Sequence, residues 1–238
     1  MGSSRDAISK RSDLEELFDQ LGRHLKRDNQ ALVIGGAALL EYGMKDATRD
    51  IDIVCRTEAD RDEFLRAARE LGFEFVAPER RHARLGLNRV AMKGGHVLDV
   101  FAGSISSGFG LSDGMWRRAM MRRVFGKADV RYASPEDIFI MKLIAGREGD
   151  IEDCAVLVAA GLDFDKVYEE IESQYRRSGE EKEDDRKIWI TYIEESIARL
   201  EEDYGISVPI ADAISSLADG YREKLYQRLA ARNGNDSP

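Results

Sequence analysis

In residues 32–55, LVIGGAALLEYGMKDATRDIDIVC, two apolar runs bracket a glycine pair and a short helix-like segment, and the second run carries two aspartates. An apolar run that breaks at Gly35-Gly36 and resumes as AALLEYG reads as a strand, a tight turn and a helix stopped by Gly43. RDIDIVC reads as the next strand, although aspartate is a poor strand former and is seldom buried alone. Asp50 and Asp52 are two residues apart, so they share one side of that strand and repel each other. Ile51, Ile53, Val54 and Cys55 speak against an exposed edge strand on which Arg49 would neutralise the acids. A divalent cation is the usual partner for such a pair.

The same kind of reading extends along the chain. Leu14, Leu17, Phe18, Leu21 and Leu25 recur at helical spacing and predict an amphipathic helix over residues 12–27. EADRDEFLRAARELG predicts a helix closed by Gly72. ARLGLNRVAMKGGHVLDVFAG holds two strand-like runs around Gly94-Gly95, and RRVFGKADVRY holds a second hairpin turning at Gly126-Lys127. From Ser134 the pattern is helical. Ser134, Pro135 and Asp137 supply a cap, a first-turn proline and a capping-box acid. Further helices are expected in DIEDCAVLVAAG, in DFDKVYEEIESQYRR, along the stripe Trp189, Ile193, Ile197, Leu200 and Tyr204, and over residues 208–230. SGEEKEDDR reads as a solvated connector. The expected class is α+β: a mixed sheet flanked by helices over 1–132, an all-helical part over 133–232, and a disordered tail over 233–238.

Composition narrows the function. A formal charge of −9 argues against non-specific adhesion to nucleic acid or anionic membrane. No apolar run approaches the roughly 20 residues of a membrane span, and the amino terminus lacks a signal-peptide core or a myristoylation signal. Cys55 and Cys154 form neither a disulfide framework nor a metal-like spacing, and a cytoplasmic protein is expected.

Three features combine into a candidate site. Gly35-Gly36 offers bare backbone where a phosphate could sit. Asp50 and Asp52 share a strand face, and Asp99, in HVLDVFAG, lies on a later strand. Together the three acids form an oxygen-rich pocket suited to Mg²⁺ or Mn²⁺, ions that neutralise nucleotide phosphates during in-line phosphoryl transfer. No Lys-Ser/Thr follows the glycines and no Gly-x-Gly-x-x-Gly is present, which excludes a P-loop and a dinucleotide fingerprint.

In this order of apolar strand, Gly-Gly, helix, Asp-x-Asp strand and later strand Asp, the chain resembles the DNA polymerase beta-like nucleotidyltransferase superfamily. It is similar within it to small prokaryotic abortive-infection-type and toxin–antitoxin nucleotidyltransferases. SPEDIFIMKLIAGREGDIEDCAVLV adds to the likeness, which covers residues 30–160. The resemblance implies that Gly35 and Gly36 hold the triphosphate and that Asp50 and Asp52 bind Mg²⁺. Asp99 would complete the metal site and act as general base, and Lys142 would contact phosphate. Arg147, Asp150 and Asp153 match the helical motif. The implied reaction moves a nucleoside monophosphate from a triphosphate to a hydroxyl of RNA, protein or a small molecule.

Each residue also has a plainer reading. Lys142 is a candidate for a core-edge lysine, Asp150 for a helix cap with Asp153 in the capping-box position, and Arg147 for neutralising a helix end. The clusters ERRHARLGLNR and MWRRAMMRRVFGK read as solvated faces or as phosphate and RNA contacts. His24, His82 and His96 show no ligand spacing. The aromatic stripes of the last helices suit a core or a homodimer surface. The rival functions are an inactive module of this fold that senses nucleotide or neutralises a partner, and a structural oligomerisation protein.

Overall fold

A computed structural model describes residues 8–76, 90–94, 96–106, 108–177 and 188–235. The chain begins with α1 (Arg11–His24), β1 (Asn29–Ile34), α2 (Gly35–Glu41), β2 (Asp50–Cys55) and α3 (Glu58–Glu70). β3 (Glu74–Val76), β4 (Val90–Lys93), β5 (His96–Ala102), β6 (Ser104–Ser106) and β7 (Phe109–Gly110) follow. Then come α4 (Asp113–Arg118), β8 (Arg122–Phe125) and β9 (Ala128–Tyr132). The remainder is helical: α5 (Pro135–Ala145), α6 (Glu148–Ala160), α7 (Phe164–Arg177), α8 (Trp189–Tyr204) and α9 (Ala211–Asn235).

The sheet runs β3-β4-β5-β2-β1-β9-β8, with β6 and β7 attached beyond β5. It is mixed: β1 pairs antiparallel with β2, whereas β1–β9 and β2–β5 are parallel. β2 therefore lies in the interior of the sheet, paired on both sides, and the edge-strand reading of its aspartates falls. The fold is α+β with a helical carboxy-terminal part, as the sequence leads one to expect.

Local chemistry explains the elements. In α1, Leu14, Phe18 and Leu21 are buried one turn apart, and Phe18 stacks on Phe125 of β8. Thr57 caps α3 by accepting from the Asp60 amide. Ser134 does the same for α5 from the Asp137 amide, with Pro135 in the first turn. The left-handed Gly146 ends α5, where a side chain would be strained. α3 packs against β2 with Phe64, Ala67 and Ala68 buried, and Ile51, Ile53 and Cys55 share one fully buried face of that strand. Asp50 and Asp52 point the other way.

Helices α5–α8 are tied back onto the sheet. Arg118 of α4 pairs with Asp137 of α5 and Glu170 of α7. The Gln174 side chain both donates to and accepts from the Gly110 backbone. Phe109 of β7 meets Trp189 of α8 edge-on at 5.1 Å. α9 continues to Asn235, into the segment expected to be a disordered tail. Residues 236–238, the SGEEKEDDR connector over 178–186 and the ERRHARLGLNR cluster with His82 lie outside the described residues.

Candidate functional site

The strand register assembles the three acids. Asp52 of β2 lies directly beside Asp99 of the parallel β5, and Asp50 lies two residues along, beside Val97. Partners in a ladder project to the same face, so all three carboxylates share one side of the sheet. Across the antiparallel β1, Ile34 stands opposite Asp52, and the turn at Gly35 begins immediately after it. Gly35 has φ +63°, and a Cβ there would lie 2.5 Å from Asp52 Oδ2. Both the backbone conformation and the close approach of the carboxylate require glycine. A Cβ on Gly36 would meet Thr48 Oγ1 at 2.6 Å, so the second glycine is packed against the loop that leads into β2.

A small pocket lies over this face, lined by Ile34, Gly35, Asp52, Phe101, Ile105, Met141, Lys142, Ala145, Arg147 and Asp150. One wall is apolar: Phe101 and Ile105 from β5 and β6, Met141 from α5. The other is charged. Burial, and then the Asp50 charge, push the Asp52 carboxyl up to about 6, although Lys142 and Arg147 pull it down. Asp99 is 1% exposed.

The cations form a chain of ion pairs. Lys142 Nζ donates to Asp150 Oδ1 at 2.6 Å and lies 2.8 Å from Asp153 Oδ2. Lys45, from the loop between α2 and β2, donates to both oxygens of Asp153 at 2.7 Å. Arg147 Nε donates to Asp150 Oδ2 at 2.6 Å, and the Arg147 backbone amide donates to the same oxygen at 3.3 Å. Burial disfavours the Lys142 charge, but Asp150 and Asp153 more than offset it and hold its pKa above the ordinary value. Burial likewise opposes ionisation of Asp150, yet Lys142 and Arg147 outweigh it and keep its pKa low. Arg147, not Asp150, is the N-cap of α6, because the helix starts at Glu148; Asp150 takes the capping-box position expected of Asp153, accepting from the Arg147 amide while it binds two cations.

All nine residues singled out in the sequence lie on β2, β5 and the segments around the pocket. Asp52, Gly35, Lys142, Arg147 and Asp150 line it. Asp50 and Asp99 flank Asp52 along and across the strands, Gly36 sits behind Gly35, and Asp153 lies behind Lys142. Sequence reading missed Lys45, Thr48 and the apolar wall of Phe101, Ile105 and Met141. The loop position of Lys45 gives no periodic signal, and the wall residues follow the same apolar pattern as core residues. The second arginine cluster is largely occupied within the protein: Arg118 pairs with Asp137, Arg122 with Asp129, and Arg123 with Glu15 and the buried Glu41.

The donor set suits a hard divalent cation: three carboxylates from adjacent strands, two of them electrostatically unfavourable to each other. Among the described residues no three His, Cys, Asp or Glu side chains are gathered tightly enough to hold an ion as they stand. Among the described residues no helix is long and apolar enough to cross a membrane.

No family model and no curated protein matches the sequence. Among solved structures, the crystal structure of ANT(2″)-Ia in complex with adenylyl-2″-tobramycin aligns with a TM-score of 0.49 at 17% identity. That alignment covers 70% of this chain and 99% of the other. The solution structure of the antibiotic-resistance factor ANT(2″)-Ia gives 0.49 and 17%, over 71% and 95%. An antigenic nucleotidyltransferase-like protein from Paracoccidioides brasiliensis gives 0.44 and 16%, over 88% and 95%.

Proposed function

We propose that the protein is a divalent-metal-dependent nucleotidyltransferase that moves a nucleoside monophosphate from a triphosphate to a hydroxyl acceptor. The observation that carries this reading is the register of β2 and β5, which sets Asp52 beside Asp99 with Asp50 on the same face, next to the glycine turn. Asp50, Asp52 and Asp99 would hold Mg²⁺, which when bound would neutralise phosphate charge and orient the triphosphate. Gly35 lets the Asp52 carboxylate pack against the backbone at the start of α2, where any side chain would displace it. Lys142 and Arg147 provide positive charge across the pocket from the acids, and Phe101, Ile105 and Met141 offer an apolar surface for base or sugar.

In the transfer, the acceptor oxygen bonds to the α-phosphorus, the bond to the bridging oxygen breaks, and pyrophosphate leaves. Asp99 takes the acceptor proton. It stands beside Asp52 on the neighbouring strand, on the same face of the sheet as the Asp50–Asp52 pair. The acceptor class, RNA, protein or small molecule, and a setting akin to abortive-infection or toxin–antitoxin systems belong to this same proposal.

Incubation with each α-labelled ribonucleoside triphosphate, Mg²⁺ and cell extract should transfer label to one acceptor and release pyrophosphate. Asp99→Asn should bind the Mg²⁺-triphosphate yet lose about 10²–10⁴-fold in single-turnover transfer, the usual cost of a missing base. Near-normal transfer by that variant would refute the base assignment. Binding of triphosphate without any transfer would instead identify a nucleotide sensor.

A further inference from the structure

Lys45 lies outside every motif that defines the acid strand, yet it ends against the cations of the pocket. Its Nζ grips both oxygens of Asp153, 108 residues further along the chain. Its aliphatic Cδ lies 3.8 Å from where a Cβ on Gly36 would be. The loop that carries it also carries Thr48, whose hydroxyl donates to the Asp50 carbonyl at 2.9 Å and packs against Gly36. Asp153 in turn is shared with Lys142, and Lys142 with Asp150, which binds Arg147. Lys45 therefore lies beside the glycine turn along its stem and reaches the cationic wall of the pocket through the Asp153 carboxylate.

We propose that Lys45 is a positioning residue of the nucleotide site, acting through Asp153 to place the Lys142 ammonium. This inference rests on the proposed nucleotidyltransferase reading and adds to it a residue with a defined role. Two lysines compete for the Asp153 carboxylate. With Lys45 holding both oxygens, Lys142 remains divided between Asp153 and Asp150, at the edge of the pocket. Without Lys45, Asp153 turns its full charge on Lys142 and draws it away from Asp150 and the pocket. Asp150 then falls to Arg147 alone, so both cations facing Asp52 shift. Lys45 also ties the start of β2 to α6, which fixes the acid strand against the cationic wall. A lysine whose only duty was surface stability would need neither of these connections.

The test measures binding of the four ribonucleoside triphosphates, each with Mg²⁺, by titration calorimetry to wild type, Lys45→Met and Lys45→Arg. Lys45→Met should weaken the preferred triphosphate about 10- to 100-fold, taking as the scale the loss seen when an outer-shell partner of a metal ligand is removed. Its melting temperature should stay within about 4 °C of wild type, the effect of a single partly exposed ion pair. Lys45→Arg keeps a cation on Asp153 and should restore affinity to within about 3-fold. Asp153→Asn, which removes the carboxylate through which Lys45 acts, should weaken binding as well, and adding Lys45→Met to it should cost little more. Equal affinity of Lys45→Met and wild type would overturn the positioning role while leaving the nucleotidyltransferase reading intact. Full additivity of the two substitutions would show that Lys45 does not act through Asp153. Failure of wild type to bind any triphosphate would overturn both claims together.

Discussion

Asp52 is the residue on which the site's electrostatics turn. Burial and Asp50 raise its pKa to about 6, above the ordinary value of 3.8, so the folded chain holds this proton more tightly than the unfolded chain does. Ionising Asp52 therefore costs stability. The penalty is absent below pH 3.8, grows as pH rises and is complete above about pH 6. Asp52→Asn removes the charge and nearly preserves the shape. At pH 7 the variant should be more stable than wild type by about 1–3 kcal/mol, the free-energy equivalent of such a shift. The gap should close as pH falls toward 4, as read by urea unfolding across a pH series. A variant less stable than wild type at pH 7 would show that Lys142 and Arg147 outweigh the repulsion. A stability gain from deleting a charge marks a residue kept for what it binds.

At the scale of elements, the α5–α6 pair is joined by charges that cover for one another. Lys142 is 9% exposed at its side chain and holds Asp150 and Asp153. Losing one partner of a buried ion pair usually costs about 3–5 kcal/mol, because the other charge is left unpaired. Here Lys45 still holds Asp153 and Arg147 still holds Asp150. Lys142→Met should therefore cost only about 1–3 kcal/mol. The double variant Lys45→Met with Lys142→Met orphans Asp153, and its cost should exceed the sum of the single costs by at least about 1 kcal/mol. Strict additivity in denaturant unfolding would mean that the carboxylates find water instead. These elements also show what sequence can and cannot convey. The strand, glycine turn, acid strand and capped α5 are local patterns, and Ser134, Pro135 and the alternation around Asp52 reveal them directly. The acids could be grouped because each sits on a strand with apolar neighbours. The pairing of Asp52 beside Asp99 depends on register between strands 47 positions apart in the chain, and that of Lys45 with Asp153 on how α6 folds back over the sheet. Neither leaves a periodic trace. Phe101 and Met141 were hidden for the opposite reason, because a residue lining an apolar wall obeys the same pattern as one filling the core.

Taken whole, the molecule joins its sheet to its helical part through Arg118, Gln174 and the contact of Phe109 with Trp189. Trp189 is fully buried on the first turn of α8. Trp189→Ala removes a large side chain from this seam and should cost about 3–5 kcal/mol. If sheet and helices unfold as one unit, the whole transition should move to lower denaturant with an unchanged slope, by far-ultraviolet dichroism and tyrosine fluorescence alike. A transition that splits in two would show that residues 133–235 unfold separately from the sheet.

The 108-residue reach from Lys45 to Asp153 also bears on how the protein is made. A ribosome adding about 5–20 residues per second releases Asp153 roughly 5–20 s after Lys45. For most of that interval Asp50 and Asp52 exist, yet β9, the parallel neighbour of β1, and the cations of α5 and α6 do not. A half-made chain carries the acids but no positive wall to receive a polyanion. Competence of the pocket thus arrives only when nearly two-thirds of the polypeptide has emerged, so truncated products are born inert.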